Sequence, residues 1–325
     1  MALLTLIHND QTHMMKKNKS AAILMCTYNG ENFIEEQLES IKNQTFKNLS
    51  LFISDDGSSD RTLEIVKSFK QKNMHCFQEI KIIEGPSCGF AKNFLNLVKG
   101  VGNDYDFYSF ADQDDFWHED KIESGIFELE KYKKEIPSLF CSRTKLVNQF
   151  GKKIGYSKNF KSAPKFQNAL VQSIAGGNTM IFNKSSKIIL NEVNMSIDIT
   201  SHDWLLYILI SACDGNIVFS QKPKIDYRIH KANLIGSNLG FKNFLKRSLL
   251  VFQNKWIDWN NLNIEHLKKF KMITPSNKKI LDNFISLRHE KNIFMRILLF
   301  KKSGLRRQTV LGNISLFAAI VFKKI

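Results

Sequence analysis

The sequence lacks the features that mark several classes of protein. Its five cysteines are an odd number without a Cys-x-x-Cys pair, which argues against a disulfide framework and a zinc site and fits a reducing compartment. The longest late uncharged run, 308–322, has 15 residues, fewer than the roughly 20 that cross a bilayer. The first 20 residues do not have the charge order of a secretory signal. We therefore expect a folded protein without a membrane span.

Acidic residues are scarce at the C-terminal end of the chain. Residues 241–325 contain 18 basic and 4 acidic residues, so they carry +14 of the formal net charge of +16. The rest of the chain is close to neutral. This contrast predicts a near-neutral catalytic or binding body joined to a basic surface that meets phosphates, of lipid or of nucleic acid.

Short apolar runs alternate with helical patterns from Ala21 onward, as in a mostly parallel sheet covered by helices. The pattern predicts strands over 21–28, 49–54, 79–83 and 107–110, separated by helices over 31–42, 60–70 and 90–98. Ser59 or Asp60 is the predicted cap of the second helix. This βαβαβαβ order predicts an α/β fold with a nucleotide-binding type of sheet. Farther along we expect a helix over 119–133, a strand over 139–147, a strand over 179–182 and a buried helix over 201–212.

The chain changes character beyond Ile235, where helical segments rich in Lys and Arg are interrupted at Pro275 and Gly304. We therefore predict three regions. They are a loose leader over 1–20, an α/β domain over 21–236 and a basic helical region over 237–325.

Polar residues gather directly after three of the predicted strands. Ligands of an open parallel sheet bind outside the carboxyl ends of its strands, so these residues are predicted to converge on one cleft. The three segments are Thr27-Tyr28-Asn29-Gly30, Asp55-Asp56 and Asp112-Gln113-Asp114-Asp115.

Each of these segments has two interpretations from its residue types alone. The carboxylates of Asp112–Asp115 suit Mg²⁺ or Mn²⁺ on a diphosphate, or Asp114 or Asp115 caps the next helix. Asp55–Asp60 either holds a nucleoside or forms a tight turn with Asx hydrogen bonds.

The later candidates also have two interpretations. Asp203, in the first turn of a helix, is either a base kept ionised by the helix end or a charge that complements the helix dipole, with Ser201 as cap and Trp204 in the core. Arg228 and His230 are cations suited to a diphosphate, although two such residues are weak support in a basic protein.

Taken together, the motifs resemble inverting family-two glycosyltransferases of the GT-A fold, especially the bacterial rhamnosyltransferase-like branch. The resemblance covers about 21–237. It rests on the order and spacing of TYNG at 27–30, ISDDGSSD at 53–60, ADQDDFW at 111–117, GGNTM at 176–180, HDW at 202–204 and YRIH at 227–230.

This resemblance implies a role for each matching position. Asp203 would be the general base that takes a proton from the acceptor hydroxyl, and Asp112 would face the ribose of the donor. Asp114 would bind Mg²⁺ or Mn²⁺ on the diphosphate, and either Asp112 or Asp115 would share the metal. The positions that would contact or line the pocket of the donor base are Thr27, Tyr28, Asn29 and Asp56.

The remaining matches concern the sugar and the acceptor. Arg228 and His230 would be cationic contacts of the diphosphate on a flexible segment. His202 replaces a Glu that many relatives carry, and it would hydrogen-bond a phosphate or the acceptor. Gly176, Gly177 and Asn178 would form the floor of the sugar or acceptor pocket, which also includes Trp204.

The basic C-terminal region has two interpretations as well. Between Lys291 and Arg307, apolar residues alternate with cations, which is typical of a helix at an anionic inner leaflet. Alternatively, these helices pack their apolar stripes on the body and leave the lysines in water. A membrane surface would present a polyprenyl-linked acceptor, and no base-reading motif indicates a nucleic acid partner.

We therefore expect a cytoplasmic, peripherally membrane-associated, metal-dependent inverting glycosyltransferase that extends a cell-surface glycan. The resemblance favours dTDP-rhamnose as donor, and a UDP-hexose or UDP-N-acetylhexosamine is the alternative. A second hypothesis is a non-catalytic module that binds a nucleotide with its sheet and RNA or membrane with its tail.

Overall fold

A computed structural model describes residues 19–230 and 255–325 of the 325-residue chain. The strands in the described residues are β1 Ala21–Thr27, β2 Leu49–Asp55, β3 Glu79–Glu84, β4 Phe107–Ala111, β5 Phe116–Trp117, β6 Ser138–Ser142, β7 Lys145–Asn148, β8 Lys153–Tyr156, β9 Ile181–Asn183, β10 Asn216–Ser220 and β11 Ile225–Ile229. The helices are α1 Ile34–Lys42, α2 Thr62–Asn73, α3 Phe90–Gly100, α4 Lys121–Leu129, α5 Phe166–Ala169, α6 Lys184–Asn191, α7 His202–Ala212, α8 Lys255–Lys269, α9 Pro275–His289, α10 Ile293–Ser303 and α11 Val310–Val321.

Seven strands form the central sheet in the order β10-β6-β9-β4-β1-β2-β3. All neighbours are parallel except β9, which runs antiparallel to β4 and β6. A second sheet has the order β5-β11-β7-β8. The expected α/β class with a mostly parallel sheet and C-terminal helices is therefore confirmed.

The central strand β1 is buried on both faces, as the apolar run at its position predicts. Ala22, Leu24 and Cys26 point into one hydrophobic cluster, and the alternate residues Ala21, Ile23 and Met25 point into a cluster on the other side. Apolar side chains therefore pack on both faces of the sheet, and this packing fixes the position of the carboxyl ends of its strands.

One strand prediction is wrong. The apolar run 139–147 predicts one strand, but the chain forms two strands that belong to different sheets. β6 pairs with β10, whereas β7 pairs with β11 through Lys145 opposite Asp226. The ladder changes at Arg143, whose N–H donates to the carbonyl of Ser220 at 2.9 Å.

The predicted caps also differ from the structure. α2 begins at Thr62, and Asp60 accepts a hydrogen bond from the Thr62 N–H at 2.9 Å from just outside the helix. Neither Asp114 nor Asp115 caps the next helix, because α4 begins only at Lys121. At α7, Ser201 makes no side-chain cap hydrogen bond. The capping alternative for the acidic cluster is therefore wrong.

The C-terminal helices pack onto the α/β body. Leu267, Phe284, Leu287 and Ile320 belong to the same hydrophobic cluster as the residues of α7. Asn277 adds polar contacts by donating to the carbonyls of Ser211 and Ala212, each at 3.1 Å, at the end of α7. The predicted domain boundary near residue 236 lies outside the described residues, as does nearly all of the predicted leader.

Candidate active site

Four acidic residues from three parts of the chain interact electrostatically: Asp56 after β2, Asp112 and Asp114 after β4, and Asp203 at the start of α7. Burial raises the pKa of Asp112 to about 8, and the neighbouring charges of Asp114 and Asp203 contribute, while Lys121 opposes the shift. Burial likewise raises the pKa of the Cys26 thiol, and the charges of Asp112 and Asp56 add to that effect. The ends of β1, β2 and β4 and the start of α7 therefore meet at one cleft.

The first side of this cleft is built from the loops after β1 and β2. Thr27 is buried, and its hydroxyl donates to Asp55 Oδ1 at 2.8 Å. Asp55 Oδ2 accepts from the Ser58 N–H at 2.8 Å, so this carboxylate holds the turn that follows its own strand. Asp55 is thus a structural residue of the turn, and the neighbouring Asp56 is the one at the cleft.

Asp56 connects the turn after β2 to the loop before α3. Its carboxylate accepts from the backbone N–H of Ser87 at 2.7 Å and of Gly89 at 2.9 Å. Both of these residues have positive φ, at 54° and 84°. Asp56 therefore fixes a strained loop by accepting hydrogen bonds from two of its backbone N–H groups.

Asn29 joins the two loops to each other. It has a positive φ of 49°, and its side-chain oxygen accepts from the Ser59 N–H at 2.8 Å. Two reciprocal bonds lie beside it, from the Glu31 N–H to Asp60 and from the Arg61 N–H to Glu31, each at 3.0 Å. Tyr28 is the exposed member of the segment, with 58% of its surface accessible.

Gln113 is a site residue that the sequence analysis missed. Its side-chain amide accepts from the Tyr28 N–H at 2.8 Å and donates to the Tyr28 carbonyl at 2.9 Å. Since the β1–β4 ladder ends at Met25 opposite Ala111, this amide extends it by one further rung. A Cβ on Gly30 would lie 2.2 Å from the Gln113 oxygen, so a side chain at residue 30 would displace this amide. The sequence did contain a signal for this role, because the amide of Gln113 stands between the carboxylates of Asp112 and Asp114 at the end of a strand.

Asp115 connects the acidic cluster to the floor of the cleft. It is fully buried, and its two oxygens accept from the Asn178 side chain and, at 3.4 Å, from the Arg228 N–H. Burial, together with the charges of Asp114 and Asp112, raises its pKa. Asn178 is itself buried, so the predicted floor residue and the predicted metal residue hold each other.

Asp114 and His230 lie side by side. His230 Nε2 is 2.9 Å from Asp114 Oδ2, and the imidazole stacks on Phe33 with ring centroids 4.5 Å apart. A carboxylate oxygen such as that of Asp114 is the kind of ligand that Mg²⁺ and Mn²⁺ prefer. Within residues 19–230 and 255–325, however, no three such side chains already form a complete metal site.

Arg228 is bound by the protein itself. Its guanidinium donates to Glu36 Oε2 at 2.5 Å, to the Gln149 carbonyl at 3.0 Å and to the Asp114 carbonyl at 3.2 Å. The residue is only 4% exposed. In this arrangement Arg228 positions the Asp114 loop, and its predicted contact with a diphosphate stays a prediction.

Asp203 is the second residue of α7. Its carboxylate accepts from the Gly177 N–H at 3.0 Å and from the Trp204 N–H at 2.6 Å. The side chain is half-buried. Two backbone N–H groups therefore fix the orientation of this carboxylate at the start of a helix.

His202 is buried among aromatic rings. It stacks on Phe94 at 3.9 Å and meets Phe110 edge-on at 4.6 Å. Neither ring nitrogen has a hydrogen-bond partner in the part of the chain that the structure describes. Burial lowers the pKa of His202 to about 4, so the ring is neutral near pH 7. A Cβ on Gly177 would lie 2.4 Å from His202 Nε2, which explains why a glycine stands there.

Trp204 points away from the cleft. Its indole N–H donates to the Ala169 carbonyl at 2.7 Å, and its ring meets Trp259 edge-on at 6.4 Å. The structure therefore places Trp204 in the core, as the second of the two interpretations predicted. Gly176 contributes to the floor through its carbonyl, which accepts from the Thr179 hydroxyl at 2.9 Å.

Lys121 is a second residue that the sequence analysis missed. It is fully buried, and its ammonium lies 3.0 Å from the Ser109 hydroxyl and 3.1 Å from the centre of the Trp117 ring. Burial lowers its pKa, while the charges of Asp115 and Asp112 oppose the shift. Lys121 therefore lies close enough to Asp112 and Asp115 to interact with them electrostatically.

Comparison with known proteins identifies the family. The model of glycosyl transferase family 2 matches residues 22–189, which is more than half of the chain. This chain belongs to glycosyl transferase family 2. The dTDP-rhamnosyl transferase RfbG of Shigella flexneri is 35% identical over 244 residues, which are 71% of this chain and 80% of that protein.

Solved glycosyltransferase structures share the fold. The mannosyltransferase PcManGT of Pyrobaculum calidifontis, in complex with GDP-Man and Mn²⁺, has a TM-score of 0.55 at 14% identity and covers 95% of this chain and 87% of that one. S. aureus TarS 1–349 in complex with UDP-GlcNAc has a TM-score of 0.51 at 16% identity, with 87% and 80% covered. The expectations of a rhamnosyltransferase-like family-two member and of a GT-A type fold are confirmed.

The family match divides the site of this glycosyltransferase. Thr27, Asp56 and the cluster Asp112–Asp115 lie within the matched residues 22–189, as does Gly177. Asp203, Arg228 and His230 follow the matched range and are brought to the cleft by α7 and β11. The fold therefore brings residues that follow the matched range to the same cleft as residues within it.

Proposed function

We propose that this glycosyltransferase moves one sugar from a nucleoside-diphosphate donor to a hydroxyl of a growing cell-surface glycan, with inversion at the anomeric carbon. The observation that carries the proposal is the shared electrostatic environment of Asp112, Asp114 and Asp203. It combines a carboxylate pair suited to a metal–diphosphate with a separate carboxylate suited to a base. The similarity to a dTDP-rhamnosyl transferase makes dTDP-rhamnose the first donor to test.

Asp203 is the proposed base. The Gly177 and Trp204 N–H groups hold its two oxygens, so the carboxylate is oriented before an acceptor arrives. It removes the proton of the acceptor hydroxyl as that oxygen attacks the anomeric carbon. The bond from that carbon to the diphosphate oxygen breaks on the opposite face, and no covalent glycosyl-enzyme forms.

The loops after β1 and β2 are the proposed donor-base pocket. Thr27, Tyr28, Asn29 and Asp56 are its proposed contacts, and Asp112 faces the ribose. Most of these polar groups already bond to the protein's own backbone, which supports a pocket that is formed before the donor binds.

A divalent cation fits the residues at the end of β4. Mg²⁺ commonly takes one or two protein carboxylates and completes its coordination with phosphates and water, which agrees with the incomplete protein ligand set. Asp114 and Asp112 would hold it, with His230 adjacent, whereas Asp115 is already engaged by protein donors. When bound, Mg²⁺ or Mn²⁺ supplies Lewis acidity to the departing diphosphate.

The acceptor and the place of action are also proposals. The remaining pocket residues, Gly176, Gly177, Asn178 and His202, would contact the sugar or the acceptor. A polyprenyl-linked acceptor and a peripheral position on the inner face of the cytoplasmic membrane agree with the basic C-terminal region. Among the described helices, none has both the length and the apolar character to cross a bilayer.

A donor panel tests the function. Purified full-length protein with Mn²⁺ is incubated with dTDP-rhamnose, UDP-glucose, UDP-galactose and UDP-N-acetylglucosamine, and nucleoside diphosphate release is measured with and without a lipid-linked glycan acceptor. We expect acceptor-dependent release with dTDP-rhamnose above the others. If a UDP-sugar but not dTDP-rhamnose gave acceptor-dependent release, the donor assignment would change. Salt-sensitive RNA binding without sugar-nucleotide binding would favour the non-catalytic module.

A further inference from the structure

The last two helices expose an unusual amount of apolar surface. Of the 21 large apolar side chains exposed in the described residues, nine lie between 293 and 322. Phe294 and Val310 are 79% and 77% exposed. The other seven are Ile293, Met295, Leu298, Leu311, Ile314, Phe317 and Phe322.

These side chains lie on two helices that contact each other, and together they are here termed the two-helix surface. Val310, Ile314 and Phe317 follow one another at helical spacing and share a face of α11. Phe294 and Leu298 share a face of α10 in the same way. The helices meet where the rings of Phe300 and Phe317 lie 6.1 Å apart. Apolar patches of this kind mark interaction sites.

Charge around the two-helix surface is of one sign. Residues 291–325 contain eight basic residues and no acidic residue. Arg296 is not part of the surface, because it is buried and donates to the carbonyls of Ile320 and Val321. The exposed cations are Lys291, Lys301, Lys302 and Lys323. The surface is therefore apolar with a positive rim.

The two-helix surface is firmly attached on the acceptor side of the cleft. Leu316 and Ile320, on the inner face of α11, belong to the main hydrophobic cluster. The linker between the helices bonds to the segment before the pocket floor, through Arg307 to the Val171 carbonyl at 3.2 Å and through the Gln308 N–H to Gln172 at 2.8 Å. In that segment, the Ala169 carbonyl receives the indole N–H of Trp204, next to Asp203.

We propose that the two-helix surface lies in the interface of an anionic lipid bilayer, with its apolar side chains among the acyl chains and its lysines at the headgroups. This inference rests on the proposed function, since it names the surface through which a lipid-linked acceptor reaches Asp203. Apolar burial and attraction to anionic headgroups act together at such a surface. The arrangement explains why most of the exposed residues of α11 are apolar.

A second copy of the chain is a poorer occupant. Two such surfaces facing each other would bring their lysine rims together, and residues 291–325 offer no acidic residue to neutralise them. An anionic bilayer supplies the missing negative charge.

Vesicle flotation tests the proposal. Full-length protein is mixed with vesicles of phosphatidylcholine alone or of phosphatidylcholine and phosphatidylglycerol at a ratio of about 7:3. We expect binding to the anionic vesicles that Phe294→Gln/Leu311→Gln/Ile314→Gln reduces at least tenfold. The matched control Phe127→Gln/Ile136→Gln/Ile188→Gln removes three exposed apolar residues elsewhere and should bind like the wild type. Lys301→Ser/Lys302→Ser should weaken binding to anionic vesicles severalfold and increase its salt sensitivity.

Nucleoside diphosphate release with a water-soluble acceptor separates this proposal from the proposed function. Normal transfer without vesicle binding would overturn the proposed membrane contact and leave the enzyme assignment intact. Vesicle binding without transfer from any donor would overturn the enzyme assignment and leave the membrane contact intact. Equal binding by the wild type and the triple variant would also overturn the surface. A wild-type dimer in sedimentation velocity that the triple variant dissociates, without vesicle binding, would assign the surface to a second copy. Circular dichroism checks that the variants are folded, and the double lysine variant provides an independent test.

Discussion

The two sides of the cleft differ in how they use their polar groups. On the proposed donor side, Asp56, Asn29 and Gln113 bond to the backbone of neighbouring loops. On the proposed base side, both ring nitrogens of the buried His202 lack a partner among the described residues, and Asp203 accepts from two backbone N–H groups.

This difference indicates that the two sides are ordered to different degrees before a ligand binds. The donor side is cross-linked before any ligand arrives, so little ordering remains to be done when a donor binds. The base side keeps unpaired buried nitrogens, which cost stability unless a ligand or water satisfies them. Such a cost is typical of a functional site.

The largest effect should come from removing the base. Asp203→Asn keeps the shape of the side chain but cannot take a proton, so we expect transfer to fall about 1000-fold. Donor affinity should stay within about twofold, because the base acts on the acceptor. Single-turnover transfer and calorimetric donor binding measure the two quantities.

A matched control removes an acid elsewhere. Asp282→Asn changes an exposed carboxylate on α9 and should leave transfer and donor binding unchanged. Near-normal transfer by Asp203→Asn would assign the base to another residue.

On the donor side, the next largest effect is expected at Asp114. Asp114→Ala removes a proposed metal ligand, and the donor affinity measured with Mn²⁺ should fall roughly 10- to 100-fold. Without metal the wild type and the variant should bind the donor alike. If Mn²⁺ strengthened donor binding equally in both proteins, the metal would lie elsewhere.

Gln113 tests the cross-linking of the donor side directly. Gln113→Glu places a carboxylate oxygen against the Tyr28 carbonyl and removes the extra rung of the ladder. We expect the donor KM to rise roughly 5- to 10-fold with kcat little changed. Gln113→Met fills the space over Gly30 without either hydrogen bond and should have a similar effect. A change in kcat without a change in KM would contradict a role in donor binding.

The smallest effect concerns the pH dependence of stability. Because burial lowers the pKa of His202 from 6.5 to about 4, the unfolded chain binds this proton more readily than the folded chain. Stability is therefore lost as the pH falls from about 6.5 toward 4. His202→Gln should show a shallower loss in urea unfolding across this range. An identical pH dependence in both proteins would contradict a buried neutral imidazole.

The sequence predicted what is encoded locally. The strands β1, β2, β3 and β4 show apolar runs, and the polar residues after them stand at strand ends, where a parallel sheet gathers its ligands. Family resemblance then connected Asp203 with Asp112 and Asp114.

The missed features depend on contacts between distant residues. Arg228 was predicted to contact a diphosphate, and its ion pair with Glu36, 192 residues earlier on α1, could not be foreseen from the sequence. The apolar run 139–147 is continuous, and only the pairing of β6 and β7 with different strands reveals the break at Arg143. Lys121 follows a strand too short to recognise, and its burial depends on Trp117 and Ser109.

The anomeric configuration of the product tests the central claim most directly, because one base on the face opposite the leaving diphosphate requires direct displacement. Proton and carbon NMR of the product made from a donor of known configuration measures it. The account predicts a single product with the configuration inverted. A product that retains the configuration of the donor would contradict it.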